Sequence, residues 1–445
     1  MKKVKGYLDP PKILLFGFTA VILIGALLLT LPIATDDGKG LSFLNALFTS
    51  TSATCVTGLV VVDTGNTFTM FGELVILSLI QVGGLGFMTF ATFVLLLLGK
   101  RITLRGRLLL KESLNNTSIE GIVRLVKRIL IFTLVIEIIG AIILSIRFSF
   151  DMPIGKAIYY GVFHAISNFN NAGFDLMGDF RSLTPYVEDP IVVLTVCALV
   201  TLGGLGFIVM NEIYQYRETR RLSVHTKVVL AMTLILTLGG AILLFIFEFG
   251  NTKTLEPLSP IGKVLGSLFQ SVTSRTDGSN TLPIGSLTQS SLFVIILLMF
   301  IGAAPGSTAG GIKVTTLAVL FATVWSQIKG RDDVVLFKRR IFIETILKAL
   351  TVTLIGLFLV IIMTMLLSIT EKGHDFIVYL FEVTSALGTV GLSMGLTPEL
   401  SPMGRLLIIF TMFAGRLGPL TVAFAITKRR KPNAFHHPKG KIMIG

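Results

Sequence analysis

Ionised side chains are what this chain has least of. Only 14% of its 445 residues are Asp, Glu, Lys or Arg, against about 25% in an ordinary soluble domain, while 52% are hydrophobic. So few charges cannot cover a water-facing surface, which excludes a soluble globular protein and places the chain in lipid. There are two cysteines, Cys55 and Cys197, both in apolar surroundings. They offer neither a disulfide framework nor metal-ligand spacing. The five histidines form no HExxH-type cluster. No phosphate-cradling GxxxxGK[ST] loop occurs, so nucleotide binding is not expected of this chain. Acidic residues are scarcer than basic ones, 25 against 39, for a formal charge of +14. In a chain this apolar, the positive-inside rule accounts for that surplus, and no nucleic-acid partner is expected.

Apolar sequence, by contrast, comes in long runs, near 13–32, 73–98, 129–147, 189–211, 228–249, 290–324, 345–369 and 403–427. A run of about 20 residues crosses the ~30 Å hydrocarbon core, so these read as eight spans. The first, behind Lys2, Lys3 and Lys5, also fits a cleaved signal peptide. Its recurrence through the chain favours a retained span. Between the members of each pair lies a weaker apolar segment: 41–53, 156–168, 262–274 and 375–386. These are too short to cross and suit re-entrant helices.

The four short segments end alike: Thr54-Cys55-Val56-Thr57-Gly58-Leu59, Phe169-Asn170-Asn171-Ala172-Gly173-Phe174, Ser274-Arg275-Thr276-Asp277-Gly278-Ser279 and Leu387-Gly388-Thr389-Val390-Gly391-Leu392. A phenylalanine precedes the glycine by ten residues in three cases (Phe48, Phe163, Phe381) and by nine in the third (Phe269). A second glycine motif follows 24–30 residues later: Gly83-Gly84-Leu85-Gly86-Phe87, Gly203-Gly204-Leu205-Gly206-Phe207, Gly302 opening a long loop, and Gly415-Arg416-Leu417-Gly418. Repetition of this kind predicts an all-α membrane protein. It has four helix–pore loop–helix repeats around one central pore, with eight transmembrane and four re-entrant helices. The repeats divide at 1–100, 101–225, 226–330 and 331–445. Sorting Lys and Arg by side puts 28 on one face and eight on the other. That asymmetry places both termini in the cytoplasm and all four pore loops on the outer face of a multi-pass cell-membrane protein.

A pore must replace a cation's hydration shell with oxygens, and backbone carbonyls of a short extended stretch do so. Such backbone is tolerated at membrane depth only when buried in protein or facing water. The candidate filter comprises Thr54 to Gly58 (with Cys55, Val56 and Thr57), Asn170, Asn171, Ala172, Gly173, Arg275, Thr276, Asp277, Gly278, Gly388, Thr389, Val390 and Gly391. A re-entrant helix ending there directs its partly negative carbonyl end towards the cavity below. Glu382, Gln270, His164 and Thr49 follow the matched phenylalanines and read as hydrogen-bonding braces. No partner with ligand spacing accompanies His164.

Two features break the symmetry. The run Gly302-Ala303-Ala304-Pro305-Gly306-Ser307-Thr308-Ala309-Gly310-Gly311-Ile312-Lys313 cannot continue a helix. It is either a kink that eases packing or a mobile loop lining the pore. Arg416 lies inside the last span, where an arginine is costly. It serves either as a partner for a carboxylate such as Glu137 or as a positive barrier beside the pore.

The four filter stretches, with Thr-x-x-Thr-Gly-Leu, Asn-x-Ala-Gly-Phe, Arg-Thr-x-Gly and Thr-Val-Gly-Leu, together resemble the Trk/Ktr/HKT superfamily of potassium transporters. The short N-terminus most resembles the membrane subunits of bacterial Ktr systems. The resemblance implies potassium uptake, with K+ held at the filter carbonyls. Glycine at position 58 goes with potassium preference, where serine would go with sodium. It also implies an intramembrane gate at Gly302–Lys313 acting with Arg416, a homodimer, and a cytoplasmic nucleotide-binding RCK ring subunit (KtrA-like). Na+ is a candidate activator, since some members are sodium-dependent. The tail Lys428–Gly445 is a further candidate for the dimer contact, and the basic loops suit anionic lipid. The third filter departs from the family form, with Asp277 before the glycine and Ser279 after it. Asp277 either raises the local cation concentration or pairs with Arg275. A membrane-embedded enzyme would need clustered acids or histidines at membrane depth, and none is found. An alternating-access transporter commonly has inverted repeats, whereas these four run in one orientation.

Overall fold

The structure, a computed structural model, describes residues 10–86, 89–90 and 122–418. The N-terminal lysines, Phe87, the basic loop up to residue 121 and the tail Lys428–Gly445 lie outside the described residues. The first repeat contains α1 (Pro10–Leu29), α2 (Phe43–Thr54) and α3 (Met70–Leu85). The second contains α4 (Ile122–Phe148), α5 (Ile154–Phe169), α6 (Pro190–Leu205) and α7 (Phe207–Thr219). The third contains α8 (Val224–Glu248), α9 (Pro260–Thr273), α10 (Gln289–Phe300) and α11 (Val314–Ile328). A small hairpin of two two-residue strands, Val335–Leu336 and Arg339–Arg340, joins it to the fourth, made of α12 (Ile343–Thr370), α13 (Phe376–Gly388) and α14 (Pro402–Leu417).

The opening helix of each repeat contains an apolar span of 18 to 28 residues, at most 33% of whose most apolar stretch is buried inside the molecule. A helix satisfies its own backbone, and only such a segment can stand bare in hydrocarbon. The outward side chains bear this out: Ile235, Ile242 and Ile246 on α8 are about 60% exposed. An apolar face of that extent would be a severe liability in water. The pore helices α2, α5, α9 and α13 are the reverse, short and enclosed. Phe48, Phe163, Phe269 and Phe381 are all fully buried.

The closing helices do not run straight. α3, α6 and α14 each end on the last glycine of the second motif, with Gly86, Gly206 and Gly418 at φ +81°, +89° and +84°. That backbone is largely closed to residues with a Cβ. At Gly206 the chain bends by 96° between α6 and α7. The sequence had placed a break only in the third repeat. Hydropathy registers that GGLG is apolar, but not that its last residue has a helix-breaking φ.

Packing closes the four repeats into a ring. α3 of the first repeat packs on α5 of the second, α6 on α9, α10 on α13, and α14 on α2. Each closing helix thus supports the next repeat's pore helix, and the fourth returns to the first.

Candidate functional site: a ring of four backbone loops

Each pore helix unwinds into a loop that ends on its candidate filter glycine. In three repeats the loop has the same build. The residue two before the glycine is left-handed (Val56 φ +50°, Asn171 +56°, Thr389 +50°). The next N–H then reaches back to the pore helix: Thr57 to Ser52 O at 2.8 Å, Ala172 to Ser167 O at 2.9 Å, and Val390 to Ser385 O at 2.9 Å. The third repeat differs. Thr276 is not left-handed, and the N–H groups of Asp277 and Gly278 both donate to Thr273 O, at 3.0 and 3.3 Å.

The glycines Gly58, Gly173, Gly278 and Gly391 have φ of +86°, +63°, +88° and +99°. Each presses its bare face on a carbonyl of the next repeat: Gly58 on Ala172 O, Gly173 on Asp277 O, Gly278 on Val390 O and Gly391 on Thr57 O. A Cβ at any of the four would collide with that oxygen. The contacts run from first repeat to second, third, fourth and back to first, so four carbonyls stand around one axis. All four glycines line one cavity of about 590 Å³, with Asp63, Asp175, Asp179, Glu399 and Arg181 in its wall. The mouth is therefore acidic in a chain that is basic overall. Burial pushes the Asp175 carboxyl up to about 6, and nearby Asp63 adds to the rise.

Most side chains of the candidate filter turn away from this axis. Thr54, Cys55 and Val56 are fully buried behind the first loop. Asn170 donates to Gln81 Oε1 (2.8 Å) and Glu137 Oε1 (3.0 Å), and Gln81 donates to Glu137 Oε2 (3.3 Å). The Arg275 guanidinium reaches α8, donating to Thr233 O (3.2 Å) and Thr237 Oγ1 (3.0 Å). It forms no ion pair with Asp277. Gly388 ends α13 close against Met299 O. Glu382 accepts from Ser393 Oγ, from Met394 N–H (3.1 Å) and from Thr397 Oγ1 (2.9 Å), fixing the loop beyond the fourth filter glycine. His164 Nδ1 lies 2.7 Å from Tyr160 O. Neither Gln270 amide atom has a hydrogen-bond partner among the described residues.

The segment 302–313 lies directly beneath these loops. Gly302 packs on Gly310, and Ile301 bridges to Ile312. Backbone bonds tie the segment to the second repeat's glycine motif: Ala304 N–H to Gly204 O (3.0 Å), Thr308 N–H to Gly203 O (3.3 Å) and Phe207 N–H to Gly306 O (2.9 Å). Ala303, Ala304 and Ala309 are buried. Ser307 Oγ donates to Ala304 O at 2.7 Å, and Pro305 O lies over Gly206. Lys313 Nζ folds back on Ala309 O (2.8 Å) and Gly310 O (3.0 Å), beside the left-handed Gly311. Arg416 donates to Thr308 O and Gly83 O. It also donates to Gly84 O (3.4 Å), so its partners are three backbone carbonyls, one in the third repeat and two in the first, while Glu137 is engaged by Gln81 and Asn170.

Two contacts that the sequence reading missed connect this segment to the filter. Thr308 Oγ1 donates to Asn171 Oδ1 at 2.6 Å, and Asn171 Nδ2 donates to Thr276 Oγ1 at 2.8 Å. Gly310 N–H donates to Thr389 Oγ1 at 3.1 Å. The signal available in sequence was polar residues at Asn171 and Thr389 in otherwise apolar loops.

A family model described as TrkH, cation transport protein, matches residues 12–436. The chain belongs to this family. Among relatives of this TrkH-family chain, the Ktr system potassium uptake protein B of Bacillus subtilis is 46% identical over 436 residues, covering 98% of this chain and 97% of that protein. The protein of the same name from Vibrio alginolyticus is 41% identical, covering 100% and 96%. The potassium/sodium uptake protein NtpJ of Enterococcus hirae is 40% identical, covering 100% and 99%. The crystal structure of the potassium transporter TrkH from Vibrio parahaemolyticus superposes with a TM-score of 0.73 at 18% identity, covering 96% of this chain and 86% of that one. At that identity the likeness speaks for the fold, and the fold of this TrkH-family chain is the four-repeat ring described above.

Proposed function

We propose that this TrkH-family chain takes up potassium across the cell membrane through a channel-like pore. The ring in which each filter glycine rests on the next repeat's carbonyl carries the reading. Backbone oxygens arranged around one axis substitute for the water shell of a monovalent cation. The names of the relatives, two of them potassium uptake proteins and one a potassium/sodium uptake protein, support potassium as the ion. The four loops enter from the outer face, with both termini in the cytoplasm.

The segment Gly302–Lys313 is the gate. It sits under the filter, and Arg416 clasps it through Thr308 O. Arg416 and Lys313 bring two basic groups to the segment, each held on backbone carbonyls, and like charge repels a passing cation. Opening requires the segment to leave Asn171, Thr389 and Arg416. Control comes from a cytoplasmic nucleotide-binding ring subunit docked on a homodimer of this chain; the words Ktr system in the relatives' name support a system with partner subunits. The test is potassium and sodium uptake in cells stripped of other potassium systems, comparing wild type with Gly58→Ser. A chain that carries no potassium, or a variant with unaltered selectivity, rejects the filter.

A further inference from the structure

The third filter loop carries a carboxylate where the other three carry Thr57, Ala172 and Val390. Asp277 is fully buried, and its backbone oxygen is the one on which Gly173 rests. It is therefore part of the ring itself. Its side-chain oxygen Oδ2 accepts from Ser279 N–H at 3.2 Å, and Ser279 Oγ in turn donates to Asn168 Oδ1 at 2.9 Å. The other oxygen, Oδ1, has no hydrogen-bond partner among the described residues. Arg275 is spent on α8, so no ion pair compensates the carboxylate. An anion buried at membrane depth with one oxygen unpartnered and no counter-charge is expensive, and such groups mark ion pathways.

A cation seated in the adjacent ring supplies the missing counter-charge. We infer that the Asp277 carboxylate is the affinity-determining group of this pore, drawing the permeant cation to the filter from behind the third loop. The inference rests on the filter reading above. The unusual build of that loop, with Asp277 N–H and Gly278 N–H both turned to Thr273 O, accommodates the carboxylate. Opposite charges a few ångströms apart in a medium of intermediate dielectric change affinity by on the order of tenfold or more. A purely structural Asp277 would instead alter how much transporter is made or how fast it turns over.

The experiment is rubidium or potassium uptake by the full chain with its native partner subunits, in cells lacking other potassium systems. KM and Vmax are measured per membrane-inserted protein. Asp277→Asn and Asp277→Ala should each raise KM on the order of tenfold at unchanged Vmax, and Asp277→Glu should restore a KM near that of wild type. A KM equal to wild type in the Asn variant, or a fall in Vmax alone, overturns the inference. If Asp277→Asn does not insert, the Ala and Glu variants decide by the same criterion. Absence of potassium or rubidium uptake in wild type would sink the filter reading itself, whereas wild-type uptake with unshifted variants sinks only the role of Asp277.

Discussion

Replacing Gly58 by serine perturbs two things that the structure separates. At φ +86° any residue with a Cβ bears about 1–2 kcal/mol of backbone strain. That cost falls on the fold. In addition, the new Cβ would stand 2.5 Å from Ala172 O, so that carbonyl must withdraw by about 0.5 Å to reach a tolerable contact. With the ring acting as the proposed filter, this second cost falls on the ion, because the displaced oxygen is one of the four in the ring. A loss of about 1.4 kcal/mol in the filter's preference is a factor of ten. Paired potassium and sodium uptake, normalised to membrane-inserted protein, should therefore show selectivity reduced by about tenfold or more. Gly86→Ser is the control. Gly86 has φ +81°, but nothing among the described residues lies within 4 Å of its would-be Cβ. It should lower the yield of folded protein and leave selectivity alone. Within the ring the effects are graded. The methyl of Gly173→Ala would lie 2.0 Å from Asp277 O, so that variant should be worse than Gly58→Ala. Unchanged selectivity in Gly58→Ser, or an equal loss in Gly86→Ser, refutes the reasoning.

Other consequences can be measured in the same cells. Thr308→Val keeps the shape of the side chain but removes the 2.6 Å bond to Asn171. A net hydrogen bond is worth about 1 kcal/mol, so basal uptake without the partner subunit should rise roughly fivefold, and an unchanged rate would argue against a latch. Arg416→Gln removes the cation between Thr308 O and Gly83 O and should raise basal flux further; a fall in flux at normal protein level would contradict the barrier. The Asp175 carboxyl, pushed up to about 6 by burial, is charged above that pH and neutral below it. The mouth thus loses a negative charge as the medium is acidified through that range. KM for potassium should rise between about pH 7 and about pH 5, and Asp175→Asn should show the high KM throughout. A pH response that survives in Asp175→Asn would assign it to another group.

How much was legible in sequence depends on whether a feature is local. The four pore loops were legible because each combines an apolar helix too short to span, a phenylalanine about ten residues back, and one glycine. All three are properties of a single segment. The interruption at 302–313 was equally open, since Gly, Pro and Ser at that density defeat a helix on their own. The bend at Gly206 was not, because a glycine flanked by leucine and phenylalanine reads as span until its φ is known. Arg416 was marked as costly, yet its partners were not. They are carbonyls of Gly83, Gly84 and Thr308, 333, 332 and 108 positions away along the chain, and carbonyls belong to every residue and leave no trace in a pattern.

By itself the sequence determined that this protein lives in lipid, that it is one unit written four times, and which glycine in each unit ends the loop after the short helix. These follow from composition and spacing, which set burial and backbone freedom residue by residue. Tertiary structure alone decided the rest. It determined that the four glycines form a closed ring in chain order, that the broken segment is bonded to two filter loops at once, and that Arg275 leaves Asp277 without a counter-charge. Each is a matter of which distant groups share a few ångströms, and that is settled only when all four repeats pack against one another.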